Sequence, residues 1–66
     1  MIIYLDILKK LSDAGYNTTR IRREKLISEY TLQNIREGKT VTLDTINTIC
    51  KLTGLPVEKI IEYYPD

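Results

Sequence analysis

The sequence predicts an all-α fold of five short helices. Three observations carry this expectation. Apolar residues recur at helical spacing, polar cap residues and glycines stand where those stripes start and stop, and no stretch shows sustained alternation or an Asn-Gly or Asp-Gly hairpin turn. A chain of 66 residues has room for one domain, taken as residues 1–66. A domain this small buries only about 60% of the surface its unfolded form exposes, so its core is small. With 42% hydrophobic and 29% charged residues, the composition is that of a folded chain rather than a disordered one.

The first helix is expected over residues 2 to 14, where Tyr4, Ile7, Leu8 and Leu11 fall at i, i+3, i+4 and i+7. Gly15 ends it, because glycine accepts the left-handed conformation just past a helix end. Asp6, Lys9, Lys10 and Asp13 form its solvated face. The apolar opening does not read as an export signal, since no basic residue precedes it and Asp6 interrupts it. It is also far shorter than the roughly 20 apolar residues a bilayer requires, so no membrane partner is expected.

Asn17 or Thr18 caps a second helix over about 18 to 25, anchored by Ile21, with Leu26 and Ile27 leading into a tight turn. Ser28 caps a third helix that stops at Gly38. Leu32 and Ile35 give this helix a narrow buried edge, while Glu29, Tyr30, Thr31, Gln33, Asn34, Arg36 and Glu37 lie around it. Two helices joined by a tight turn form a helix-turn-helix, whose second helix can enter the major groove of DNA. A groove-reading helix must offer donors and acceptors to base edges, and this one does. Taken alone, it is equally well an ordinary surface helix with a polar face.

Gly38 to Val41 form a loop, and Thr42 caps a fourth helix running to about Thr53 with an apolar set of Leu43, Ile46, Ile49, Cys50 and Leu52. Gly54 closes it, and Pro56 suits the first turn of a fifth helix with Val57, Ile60, Ile61 and Tyr64 on its inner side and Pro65 at its end. The single cysteine and the lack of histidine leave no disulfide framework and no zinc site of the usual kind within the chain. Cys50 therefore reads as a small buried side chain in a reducing setting.

Net charge is only +1, but its distribution is uneven. From Lys9 to Lys39 there are eight basic residues against four acidic ones, whereas from Thr40 to Asp66 there are two against four. The positive part coincides with the helix-turn-helix, as expected of a surface that meets phosphate.

The run Ile27-Ser28, Thr31-Leu32, Ile35 and Gly38-Lys39, followed by Thr42-Leu43-Asp44-Thr45-Ile46 and Ile49-Cys50, resembles the compact five-helix regulators of the phage repressor and Cro type, the Xre family. The resemblance covers nearly the whole chain. It implies a lambda-repressor-like fold and a cytoplasmic, bacterial or phage-encoded regulator of transcription, a repressor, that binds double-stranded DNA without a cofactor or metal. It places Glu29, Tyr30, Gln33 and Asn34 where bases are read. Asn34 and Gln33 have amides that pair in two places with adenine, and Glu29 could accept from a cytosine amino group. Asn17 and Thr18 fall at the helix start that grips a backbone phosphate. The other phosphate-binding candidates are Arg20, Arg22, Arg23, Lys25, Ser28, Arg36, Lys39 and Thr40.

Two departures from the family pattern stand out. Thr18 occupies a position where many members have glutamine, and Leu11 and Arg36 stand where many pair an arginine with a glutamate. A single module of this size makes few base contacts, so a homodimer on a palindromic site is expected, with half-sites about 34 to 36 Å apart. Ile60, Tyr63, Tyr64 and Pro65 are the candidate dimer surface. The rival reading is a protein-interaction module on the same scaffold, such as an antitoxin, antirepressor or partner-binding subunit. An enzyme is not expected, for want of a histidine, a phosphate-cradling glycine loop or an acid/base pair.

Overall fold

The computed structural model describes residues 1–66. Its elements are β1 (Ile2–Tyr4), α1 (Ile7–Asp13), α2 (Thr18–Arg23), α3 (Glu29–Arg36), α4 (Leu43–Thr53), a 3-10 turn (Val57–Lys59) and β2 (Ile61–Tyr63). The all-α helix-turn-helix class holds, with four α-helices and one small strand pair at the chain ends. No helix is long and apolar enough to cross a membrane.

The chain ends depart from the expected helices. β1 and β2 pair antiparallel, with Ile2 opposite Tyr63, Ile3 opposite Glu62 and Tyr4 opposite Ile61. Flanking bonds from Leu5 N–H to the Ile60 carbonyl (2.9 Å) and from Tyr64 N–H to the Met1 carbonyl (2.8 Å) extend the ladder. Both segments are rich in β-branched and aromatic residues, which suit a half-buried pleated surface and form favourable cross-strand pairs. Asp6 separates β1 from α1 by taking a left-handed conformation (φ 50°), so the first helix starts at Ile7 rather than at residue 2. The expected fifth helix is reduced to one 3-10 turn because residues 61 to 63 pair with β1 instead.

The middle of the chain follows its local chemistry. Asn17, Ser28 and Thr42 each accept a hydrogen bond from the backbone N–H three residues on, at 2.8, 3.2 and 3.1 Å, which satisfies one of the free donors of α2, α3 and α4. Gly38 and Gly54 follow α3 and α4 with φ of 72° and 70°. One core joins every layer: Ile7 and Leu11 from α1, Ile21 from α2, Ile27 from the turn, Leu32 and Ile35 from α3, Ile46 and Ile49 from α4, and Ile60 ahead of β2. Cys50 is half-buried against this cluster.

Three apolar residues expected on inner faces lie outside it. Leu43 is 84% exposed, because the core ends at Ile46 and the first turn of α4 projects beyond it. Val57 and Tyr64 are exposed because the helix that would have turned them inward is not formed.

Candidate nucleic-acid interface

The helix-turn-helix spans α2, a turn over residues 24 to 27, and α3. Ile21, Ile27, Leu32 and Ile35 are all buried, so both helices and the turn between them share one anchor in the core. Lys25 makes the turn with φ of 54°, a conformation in which a side chain costs about 1 to 2 kcal/mol and which glycine usually supplies. Leu26 N–H then donates to the Ile21 carbonyl at 3.0 Å, closing α2 before the chain reverses.

The far end of α3 is fixed as well. Lys39 N–H donates to the Asn34 carbonyl at 2.8 Å, and the Tyr4 hydroxyl donates to the Lys39 carbonyl. Burial raises the Tyr4 phenol above its ordinary value, outweighing a backbone hydrogen bond at Val41 that lowers it, so the group remains a donor. Sequence offered no signal for this contact, whose partners lie 35 residues apart.

Leu32 and Ile35 face inward, so helical geometry turns Glu29, Tyr30 and Gln33 outward together. Tyr30 is 78% exposed, Glu29 and Gln33 are exposed, and Asn34 is half-buried on the flank of this face, one turn beyond Tyr30. The four expected base readers therefore form one continuous strip.

Two polar pairs order that strip. Arg22 of α2 places its Nε 2.5 Å from both carboxylate oxygens of Glu29, linking the two helices across the turn. On α3, the Gln33 amide donates to Glu37, whose other oxygen lies 3.0 Å from the Lys39 ammonium. The hydrogen bond from Gln33, and then that from Lys39, hold the Glu37 carboxyl below its ordinary range. The i, i+4 spacing of Gln33 and Glu37 was legible in the sequence. The Arg22–Glu29 pair, seven residues apart and across a turn, has no such helical spacing, although Glu29 is a natural partner for a nearby arginine.

The phosphate candidates divide. Arg20 is turned back on its own helix: its Nε bonds Glu24 (2.8 Å), its Nη1 bonds the Gly15 carbonyl (3.0 Å), and its guanidinium sits 4.4 Å from the Tyr16 ring centre. The Glu24 carboxylate, by hydrogen bond and charge, raises the Arg20 pKa further. Arg20 thus braces the junction between α1 and α2. Asn17 uses its side-chain oxygen as the α2 cap but keeps its amide N–H groups, whereas Ser28 is committed to Thr31, whose N–H and hydroxyl it meets at 3.2 and 2.9 Å. Thr18 is half-buried, and Thr40 is exposed.

Lys25 and Arg36 are exposed with no ion pair, and Arg23 reaches Glu24 only at 3.9 Å. These three are the available cations of the motif. Lys25 joins Arg22, Ser28 and Glu29 around a hollow of about 300 Å³ at the mouth of the turn. Of the residues expected at a dimer surface, Tyr63, Tyr64 and Pro65 are exposed, but Ile60 is wholly buried in the core and leaves that set.

Two helices anchored in the core by Ile21, Leu32 and Ile35 and presenting one polar strip have the architecture of a groove-reading module. The model of the Cro/C1-type HTH DNA-binding domain matches residues 6–66. The chain belongs to this family. As a Cro/C1-type domain it is a DNA-binding regulator of transcription. The matched span begins at the αL residue Asp6 and so takes in every helix, while β1 precedes it. No curated protein and no solved structure matches the chain.

Proposed function

We propose that this Cro/C1-type domain is a sequence-specific repressor that reads the major groove with α3 and binds a two-fold symmetric site as a homodimer. The observation that carries the reading is the strip of Glu29, Tyr30, Gln33 and Asn34 on a helix held from behind by Leu32 and Ile35. Amides of Gln33 and Asn34 suit adenine, and the Glu29 carboxylate suits the amino group of cytosine. Arg23, Lys25 and Arg36, with the amide of Asn17, supply contacts to the backbone on either side, with Lys39 and Thr40 at the far end of α3. A dimer follows from the small number of base contacts one copy can make. Occupying an operator is enough to exclude polymerase, which is why repression is the preferred outcome. The cellular setting is the cytoplasm of a bacterium or a phage host.

The rival reading, a protein-interaction module, draws on Glu29 and Glu37, two carboxylates on the reading helix. Both are engaged by cations of the motif, Arg22 and Lys39, which reduces the repulsion they would exert on phosphate. Titrating a random duplex at two salt concentrations separates the readings. A DNA-binding regulator binds at low salt and loses affinity steeply as salt rises. Absence of binding at low salt would leave the interaction module as the account of the fold.

A further inference from the structure

The terminal strands do more than close the chain ends. Tyr4 of β1 is half-buried, packed against the core and paired with Ile61, so its ring is held in place. Its hydroxyl donates to the Lys39 carbonyl in the loop that follows α3. The same side chain borders two neighbouring hollows, one shared with Ile35, Arg36 and Gly38 and the other with Thr40 and Leu43, and so stands between the end of α3 and the start of α4.

This contact fixes a direction. The peptide joining Lys39 to Thr40 is trans, and in a trans peptide the carbonyl and the N–H point to opposite sides. With the Lys39 carbonyl turned in toward Tyr4, the Thr40 N–H is turned out. It has no acceptor within the protein, and Thr40 is exposed. The preceding N–H is committed, since Lys39 donates to the Asn34 carbonyl at 2.8 Å. One outward backbone donor therefore stands just beyond the reading helix, at an orientation set from a distant part of the chain. We propose that Tyr4 is a positioning residue for DNA: from the strand pair it aims the Thr40 N–H at a backbone phosphate. The inference rests on the phosphate-binding role proposed above for Lys39 and Thr40, and names the residue that sets its geometry. A backbone N–H donates to a phosphate oxygen but carries no net charge, so it grips without displacing a counterion. That separates its contribution from the Lys39 ammonium beside it.

The test is Tyr4→Phe, which keeps the ring and removes the tether. Anisotropy titrations on a random duplex at several salt concentrations compare it with wild type and Lys39→Ala, each held well below the melting point found by circular dichroism. Loss of one charge-assisted hydrogen bond predicts binding weaker by about three- to tenfold at every salt concentration, with the salt slope unchanged. Lys39→Ala instead makes the slope shallower by about one. In an NMR titration with the same duplex, the Thr40 amide proton should move strongly downfield in wild type and little in Tyr4→Phe.

The proposal is overturned if Tyr4→Phe is merely less stable and, while folded, binds duplex like wild type, or if the Thr40 amide of wild type does not respond to duplex. Either result leaves DNA binding by the domain standing, because wild type still binds. Failure of wild type to bind any duplex at low salt would overturn both the proposal and the reading it rests on.

Discussion

Removing Arg22 should unmask a negative charge on the reading helix. Its Nε lies 2.5 Å from both oxygens of Glu29, and both side chains are about half exposed. As a contribution to folding, an ion pair at such exposure is worth only about 0.2 to 1 kcal/mol. Its larger effect falls on DNA. A bare carboxylate about 7 Å from a phosphate is repelled by roughly 0.6 kcal/mol at the dielectric of water and roughly 2.4 kcal/mol at an effective value near 20. Arg22→Ala should therefore lose about 1 kcal/mol of affinity, a factor of about five, on a random duplex, where base reading plays no part. The double variant Arg22→Ala/Glu29→Ala should regain most of that loss. Fluorescence anisotropy at low salt measures all four members of the cycle. If Arg22 chiefly grips phosphate, the double variant will bind as weakly as Arg22→Ala, and the shielding argument fails.

Ser28→Ala removes the α3 cap, which costs about 1 kcal/mol and lowers the melting temperature by about 4 to 8 °C in a domain of this size. Because the Ser28 hydroxyl is committed to Thr31, the folded variant should bind DNA as before; a large loss of affinity without a loss of stability would show that Ser28 contacts phosphate. Leu32→Ala empties a wholly buried position and should cost about 2 to 5 kcal/mol, a large part of the total for a small domain, so chemical denaturation should show a much earlier midpoint. The Glu37 carboxyl should titrate below 4.5 when followed by NMR. Since its folded value is lowered, the interaction with Gln33 and Lys39 is fully present above the unfolded value and is lost as pH falls through the folded one. A Glu37 titration at or above 4.5 would mean that the carboxylate does not hold the Gln33 amide.

The middle of the fold was legible because its determinants are local. Asn17, Ser28 and Thr42 meet donors three residues away, Gly38 and Gly54 take the left-handed conformation one or two residues past a helix, and Leu32 and Ile35 share a helix face. The ends were not, because β1 and β2 exist only through each other and lie about sixty residues apart. Three-residue strands are too short to show alternation, and Tyr4, Ile7, Leu8 and Leu11 match a helical stripe although Asp6 breaks it. Leu43 fits the stripe of α4 but sits beyond the end of the core, a fact of tertiary packing. At the site, the outward strip followed from the inward pair and Arg20–Glu24 has the i, i+4 spacing of a single helix, whereas the stacking of Arg20 on Tyr16 and the Arg22–Glu29 link depend on how α2 meets its neighbours.

The central claim is that α3 selects sequence by contact with bases. Selection from a randomised duplex pool, run in parallel with wild type, Asn34→Ala and Lys39→Ala, tests it most directly. Wild type should return one recurring half-site. Asn34→Ala should relax preference at a single base pair by about 1 to 3 kcal/mol, and Lys39→Ala should leave the preference intact while weakening every sequence alike. A pool that returns no preference, or one that Asn34→Ala leaves unchanged and Lys39→Ala rewrites, would contradict the account.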